Sequence, residues 1–500
     1  MKAVFFFILS FLVSIANLSA QVDGRPSANP VNLDTLAIDI NTAIVTGLEN
    51  NPTILVKKIA PVLSETAVKE QKGVFDPTVT ASVQRSQSQS QRRLGASANP
   101  FDIKDTTTTA TVGIQQALPT GTRINFTGGM SGSVSNLYTD QYASNLDLTV
   151  TQSLLQGFGL GANLANIRKA QIDVDITESE LKGVAEAVTA DIEAAYWNLY
   201  LTAQEIQIQT SSLALAQKQL QETRERVNVG KLADLELAAV SAEVAARRSQ
   251  LIDAESRHEQ ARLRFIYLVF PNQPAVWERY PLPLDTPALP ADSLDPVGVH
   301  TELGLKYRPD LIQARLGLQK QDLAVTQTRN GLLPKLDLFI SLGKTNYAAT
   351  FADATPDLGS PYMQMSTGLN FTMPVPNRQS SAQLARARVS REQQELAVGN
   401  MEKQVILDIR SKYVEVLRTR QQVEATLVTR QLQEEKLLAE QEKFRVGKST
   451  NILVLQAQRD FTASQLDEAR SVVAYLNALM ELYVSEGTLL ERRGIASLEG

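Results

Sequence analysis

The sequence predicts an α+β chain made by tandem duplication, each half a strand hairpin joined to a long coiled-coil helical hairpin. Three observations predict it. Residues 154–268 and 371–485 align at a fixed offset of 217 without a gap, placing Arg226-Val227-Asn228-Val229-Gly230-Lys231 over Lys443-Phe444-Arg445-Val446-Gly447-Lys448. Within each copy apolar residues recur every seventh position. Upstream of each helical region, apolar and polar residues alternate with a period of two. A second offset, 257, lays Asn51-Pro52 over Arg308-Pro309 and Asp76-Pro77 over Leu333-Pro334. The offsets differ by 40 residues, so the first copy carries extra chain between Pro77 and Leu154.

The N-terminus reads as a secretory signal at residues 1–20: Lys2, an apolar run from Ala3 to Ile15, then small residues up to Leu18-Ser19-Ala20. There is no cysteine, which excludes a disulfide framework and a lipid-modified N-terminal Cys. Beyond the signal no run approaches the ~18 to 20 apolar residues of a membrane-spanning helix; Phe265 to Phe270 is the longest candidate. The mature chain is therefore soluble or crosses a membrane as strands. A net charge of −5 argues against nucleic acid as a partner.

Ile192, Leu199, Ile206, Leu213, Leu220 and Val227 form a heptad seam, with Glu193, Glu205, Gln209 and Lys218 between them. The second copy repeats it with Ile409, Val416, Val423, Arg430, Leu437 and Phe444, broken by Arg430. The chain then returns, with Leu237, Val244, Leu251, His258 and Phe265 matched by Val454, Phe461, Glu468, Tyr475 and Leu482. Gly230 and Gly447 suit the left-handed residue that ends a helix. Asp234 and Thr450 are expected N-caps of the returning helices. These helices are short, so an upstream amphipathic helix stacked end to end with each would complete the length of the long one.

Met363 to Met373 and Leu146 to Val150 alternate as strands, and further runs lie at Val79–Ser90, Thr106–Leu118, Arg123–Ser133 and Lys335–Tyr347. Six runs cannot close even an eight-stranded barrel, and open edges are not tolerated in lipid, so several chains must share one barrel. The expected division is a first-repeat N-terminal helix (34–78), strands (79–154) and helical hairpin (155–270). A Pro-rich linker (271–296) follows, then a second-repeat N-terminal helix (297–334), strand hairpin (335–373), helical hairpin (374–486) and tail (487–500).

The duplicated order, together with Val446-Gly447-Lys448-Ser449 leading into Leu453-Val454-Leu455-Gln456-Ala457-Gln458-Arg459-Asp460 and Gly487-Thr488-Leu489-Leu490-Glu491, resembles the TolC-like outer-membrane factors. These are the exit ducts of tripartite efflux pumps and type I secretion systems. The resemblance implies a homotrimer whose β-barrel in outer-membrane lipid continues into an α-helical barrel across the periplasm. It further implies a periplasmic adaptor (membrane fusion protein) and an inner-membrane transporter of RND, ABC or MFS type. Two departures stand out. Members contribute four strands per chain, whereas the extra residues here offer two more runs around Thr120-Gly121, either further barrel wall or a long extracellular hairpin. Some members place Asp residues at the tunnel mouth, where this chain has Leu453 and Gln456, with Glu236 the acidic group near the other tip.

The expected gate and adaptor contact comprises Val229, Gly230, Lys231, Asp234 and Glu236 at one tip and Val446, Gly447, Lys448, Ser449, Asn451 and Gln456 at the other. Capping and helix-dipole roles account for Gly230, Gly447, Asp234 and Glu236 without any ligand. Gly157-Phe158-Gly159-Leu160-Gly161 follows a strand and precedes a helix, but the second copy has Pro374, Pro376 and Arg378 there. The site needs a strand-to-helix break, not a phosphate cradle. Tyr196 and Tyr413 coincide at the offset and are expected to pack between helices. Two histidines and no cysteine complete no zinc site, and no cofactor or catalytic set is expected. The alternatives are a periplasmic coiled-coil spacer without a pore, which has no use for strands at the same place in both copies, and the adaptor itself, which carries one helical hairpin.

Overall fold

The computed structural model describes residues 35–93, 99–230, 232–288, 294–355, 359 and 361–495; the expected signal lies outside them. The first repeat runs β1 (Thr35–Ile38), α1 (Ile40–Asn50), α2 (Pro52–Lys72), β2 (Thr78–Arg92), β3 (Phe101–Ala117), β4 (Thr122–Ser135), β5 (Gln141–Ser153), α3 (Leu160–Asn163), α4 (Ala165–Asn228) and α5 (Asp234–Val269). After the short strand β6 (Tyr280–Pro283), the second runs α6 (Val297–Tyr307), α7 (Pro309–Gly331), β7 (Lys335–Ala348), β8 (Met363–Thr372), α8 (Arg378–Arg445), α9 (Asn451–Glu486) and α10 (Leu489–Arg492).

Each upstream helix, expected as one rod, is two. A residue before proline is driven out of the α region, and Asn51 and Arg308 both take extended conformations with Pro52 and Pro309 opening the next helix. At 1.5 Å per residue the 64-residue α4 is roughly 96 Å long. The 36-residue α5 covers part of that length and α2 packs along α4 as well, the end-to-end arrangement the lengths suggested.

Both offsets meet in one packed contact per repeat. A Cβ on Gly47 would run into Cδ1 of the buried Ile192, and a Cβ on Gly304 into Cδ1 of the buried Ile409. These contacts anchor two apolar cores. One gathers Ile44, Ile54, Tyr196, Trp197 and Phe265 around Ile192; the other gathers Leu311, Val405, Val416, Tyr475 and Leu482 around Ile409. Tyr196 is buried as expected, and its hydroxyl donates to Asp285 Oδ2 (2.8 Å), accepts from the Asp285 N–H (3.1 Å) and lies 3.2 Å from the Ile38 carbonyl, tying the N-terminal strand to the linker. Tyr413 lies against His300, which is buried with its Nδ1 on Glu486.

The second-copy seam is as expected, with Ile409, Val416, Val423, Leu437 and Phe444 all buried. Its break finds a partner: Arg430 Nε lies 2.5 Å from Glu468 Oε2, the polar member of the facing stripe. In α4 the expectation needs correction. Below Leu199 the enclosed residues are Thr202, Glu205, Gln209, Ser212, Ala216, Gln219 and Thr223, while Ile206, Leu213, Leu220 and Val227 are half-buried. The helix has neighbours on two sides, α5 and α9. Its most enclosed stripe is therefore polar and small, and Glu193, Glu205 and Gln209, which lie between the seam residues in sequence, are buried.

Six of the strands form one antiparallel sheet, β2-β3-β4-β5-β7-β8, in which, among the described residues, β2 and β8 are unpaired edges, while β1, where the first helix was expected to begin, pairs parallel with β6 of the linker. The turn at Thr120-Gly121 packs on the strand-to-helix break. Ser153 N–H donates to the Gly121 carbonyl (3.1 Å), Gly159 N–H to that of Thr120 (3.2 Å) and Asn163 Nδ2 to that of Pro119 (3.0 Å).

Candidate functional site: the helical hairpin tips

Each long helix ends the same way. Val229 and Val446 are the last residues of near-helical geometry, followed by Gly230 at φ +76° and Gly447 at φ +77°. A side chain in that region costs roughly 1–2 kcal/mol, which glycine avoids. The two valines are 68% and 57% exposed, so each turn presents an apolar residue to its surroundings. Lys448 is exposed beside them, whereas Lys231 lies outside the described residues.

The returning helices start differently from the expectation. Ala233, not Asp234, is the N-cap of α5; Asp234 and Glu236 occupy its first turn, where their charge complements the helix dipole. Thr450 is the N-cap of α9 but makes no side-chain cap bond. At this tip the loop is held instead by Glu440, which accepts from Lys443 Nζ (2.6 Å) and Ser449 Oγ (2.7 Å). Those two bonds, Lys443 foremost, hold its carboxyl below the usual range. Gln456 is exposed one turn into α9.

The structure joins the two tips through contacts the sequence did not reveal. The Arg226 guanidinium stacks 4.4 Å from the centre of the Phe444 ring and Nη1 donates to the Phe444 carbonyl (3.4 Å). Asn451, expected at the contact surface, is only 2% exposed, and its Oδ1 accepts from Gln219 Nε2 at 2.8 Å. Farther up, Ser212 Oγ meets Thr462 Oγ1 (3.1 Å), and Glu205 bridges Arg257 of α5 (3.2 Å) and Arg470 of α9 (2.7 Å). The available signal was register: in a tandem repeat, positions one offset apart share a height, and Arg226 and Phe444 differ from it by one residue.

A membrane-length sheet growing from paired helical hairpins is the architecture of a class, the outer-membrane channel proteins that reach into the periplasm. The chain belongs to the outer membrane efflux protein family, whose sequence pattern matches residues 43–268 and 302–488, one block in each repeat. Over 329 residues it is 28% identical to the pyoverdine export outer membrane protein OpmQ of Pseudomonas putida, the match taking in 63% of this chain and 64% of that one, just under two thirds of its length. The fold is similar to the CmeC outer membrane channel of Campylobacter jejuni (TM-score 0.64, 15% identity, 90% of this chain and 86% of that). It is also similar to the open state of the MtrE outer membrane channel of Neisseria gonorrhoeae (TM-score 0.62, 16% identity, 90% and 89%). The family places this chain in the outer membrane.

Proposed function

We propose that three copies of the chain close one barrel and one helical tunnel, forming a passive exit duct gated where the hairpin tips converge. The observation that carries this reading is the sheet with both edges unpaired, which lipid does not tolerate and sister copies satisfy. A periplasmic adaptor docks on the exposed Val229 and Val446 turns and binds the open arrangement preferentially, shifting its population. An inner-membrane transporter supplies energy and selection. The relative's name, pyoverdine export, favours a small-molecule cargo over a secreted protein.

Opening separates the tips, so the Arg226–Phe444 stack and the Gln219–Asn451 bond belong to the closed state. Planar-bilayer recordings of Arg226→Ala, Gly230→Ala and Gly447→Ala channels, with and without adaptor, test this. Arg226→Ala is expected to raise the adaptor-free open probability; unchanged conductance in all three variants would remove the gate from the tips.

A further inference from the structure

The hairpin that distinguishes the first repeat is β3–β4. By the two offsets β2 corresponds to β7 and β5 to β8; in the second repeat β7 pairs directly with β8, while in the first β3 and β4 stand between β2 and β5. The inserted strands are 17 and 14 residues long, beyond the ~9 to 11 needed to cross a membrane.

Register decides where they lie. Residues opposite each other in antiparallel strands share a face. One row across the sheet reads Val79, Ile114, Phe126, Leu148, Leu342, Met365. The adjacent row, on the other face, reads Thr78, Gln115, Asn125, Thr149, Ser341, Ser366. The apolar row continues through Ile114 and Phe126 of the insert without a break, and both are more than 40% exposed in the single chain. An extracellular hairpin has no need for an apolar face in register with the lipid-facing residues of its neighbours. The turn geometry agrees: residues 118–121 pack on the strand-to-helix corner, so β3 and β4 are joined at the end from which the helices leave. Short turns on the periplasmic side are the rule for outer-membrane barrels.

We infer that β3 and β4 are membrane wall, that each copy contributes six strands, and that β2 of one copy pairs with β8 of the next to close an 18-stranded barrel. This rests on the trimeric reading above. With strands ~4.8 Å apart and tilted by ~40°, 12 strands enclose a backbone cylinder roughly 24 Å across and 18 strands one roughly 36 Å across. The outer-membrane section is then wider than a four-strand-per-copy barrel, and the hairpin tips, not the barrel, limit the size of what leaves.

The chain has no native cysteine, so single cysteines can carry nitroxide labels on the full-length protein in liposomes. The inserted strands are probed by Val112→Cys and Phe126→Cys on the apolar face and Thr111→Cys and Thr127→Cys on the polar face, with Leu148→Cys and Leu342→Cys as controls on the other strands. The expected result is a reversal of relative accessibility: oxygen above a water-soluble nickel chelate at 112 and 126, as at 148 and 342, and nickel above oxygen at 111 and 127. Nickel access at 112 and 126 with lipid-facing 148 and 342 would overturn the inference and leave the channel reading intact. Nickel access at the controls as well would overturn both. Where a labelled variant does not insert, imaging of the unmodified protein in nanodiscs decides by strand count, 18 in support and 12 against.

Discussion

Arg430 interrupts an otherwise apolar seam, and the structure implies a definite pattern of energies when it is removed. Its Nε lies 2.5 Å from Glu468 Oε2 and its Nη1 3.0 Å from Glu434 Oε2, with the Arg430 and Glu468 side chains 26% and 24% exposed. For charges about 4 Å apart at an effective dielectric near 20, the Coulomb attraction is about 4 kcal/mol. Desolvation offsets most of it, leaving a net coupling of about 1–2 kcal/mol. Arg430→Leu strands a largely enclosed Glu468 and should cost about 1–3 kcal/mol. Glu468→Leu should cost less, because Arg430 keeps Glu434. The double variant restores apolar residues to both facing stripes and should equal or exceed the parent in stability, since replacing a buried pair by packed apolar groups is often neutral or stabilising. The assay is a double-mutant cycle on helix unfolding, followed by circular dichroism in detergent. Additive single effects, with a double variant as unstable as their sum, would refute the reasoning.

Four further outcomes follow from the same geometry. Burial pushes the Glu186 carboxyl up from 4.5 to about 8, so the folded state holds a proton the unfolded state releases. The stability this group contributes is complete below about pH 4.5 and is lost as pH rises through about 8, by up to about 5 kcal/mol; Glu186→Gln should raise the melting temperature at pH 8 and flatten its fall from pH 5. Gly47→Ala and Gly304→Ala each overfill an enclosed contact and should destabilise by about 1–3 kcal/mol in thermal melts. Gly230→Ala and Gly447→Ala should each cost about 1–2 kcal/mol locally, read as faster hydrogen exchange at the tips with the rest of the chain unchanged. Tyr196→Phe removes the hydroxyl that holds Ile38 and Asp285 and should cost about 1 kcal/mol, seen as earlier proteolytic cutting near the N-terminal strand.

Much of this architecture was legible because duplication writes each element twice. The glycine at each tip, the paired prolines and the alternating strands recur at fixed offsets, and each reflects a local backbone requirement, although the break that Pro52 and Pro309 make was read as continuous helix. What was not legible depends on a third neighbour. A heptad pattern describes one partner, but α4 lies between α5 and α9, so Thr202, Glu205, Gln209, Ser212 and Gln219 are enclosed although they read as surface. The Arg226–Phe444 stack and the Gln219–Asn451 bond cross between repeats, and no spacing within one helix encodes them. Asp234 had cap chemistry, but the helix begins at it and not after it, which gave the cap position to Ala233. The six-stranded sheet could be counted from the sequence, whereas the packing of the inserted turn on the strand-to-helix corner could not, because it depends on the hydrogen bonds that the Thr120 and Gly121 carbonyls accept there.

On the proposed trimeric reading, one chain cannot complete the pore alone. Native mass spectrometry of the protein released from outer membranes in mild detergent tests it most directly. The expected result is a single species of three copies that separates only on heating and conducts ions in a bilayer; a stable, non-conducting single copy would overturn the shared barrel.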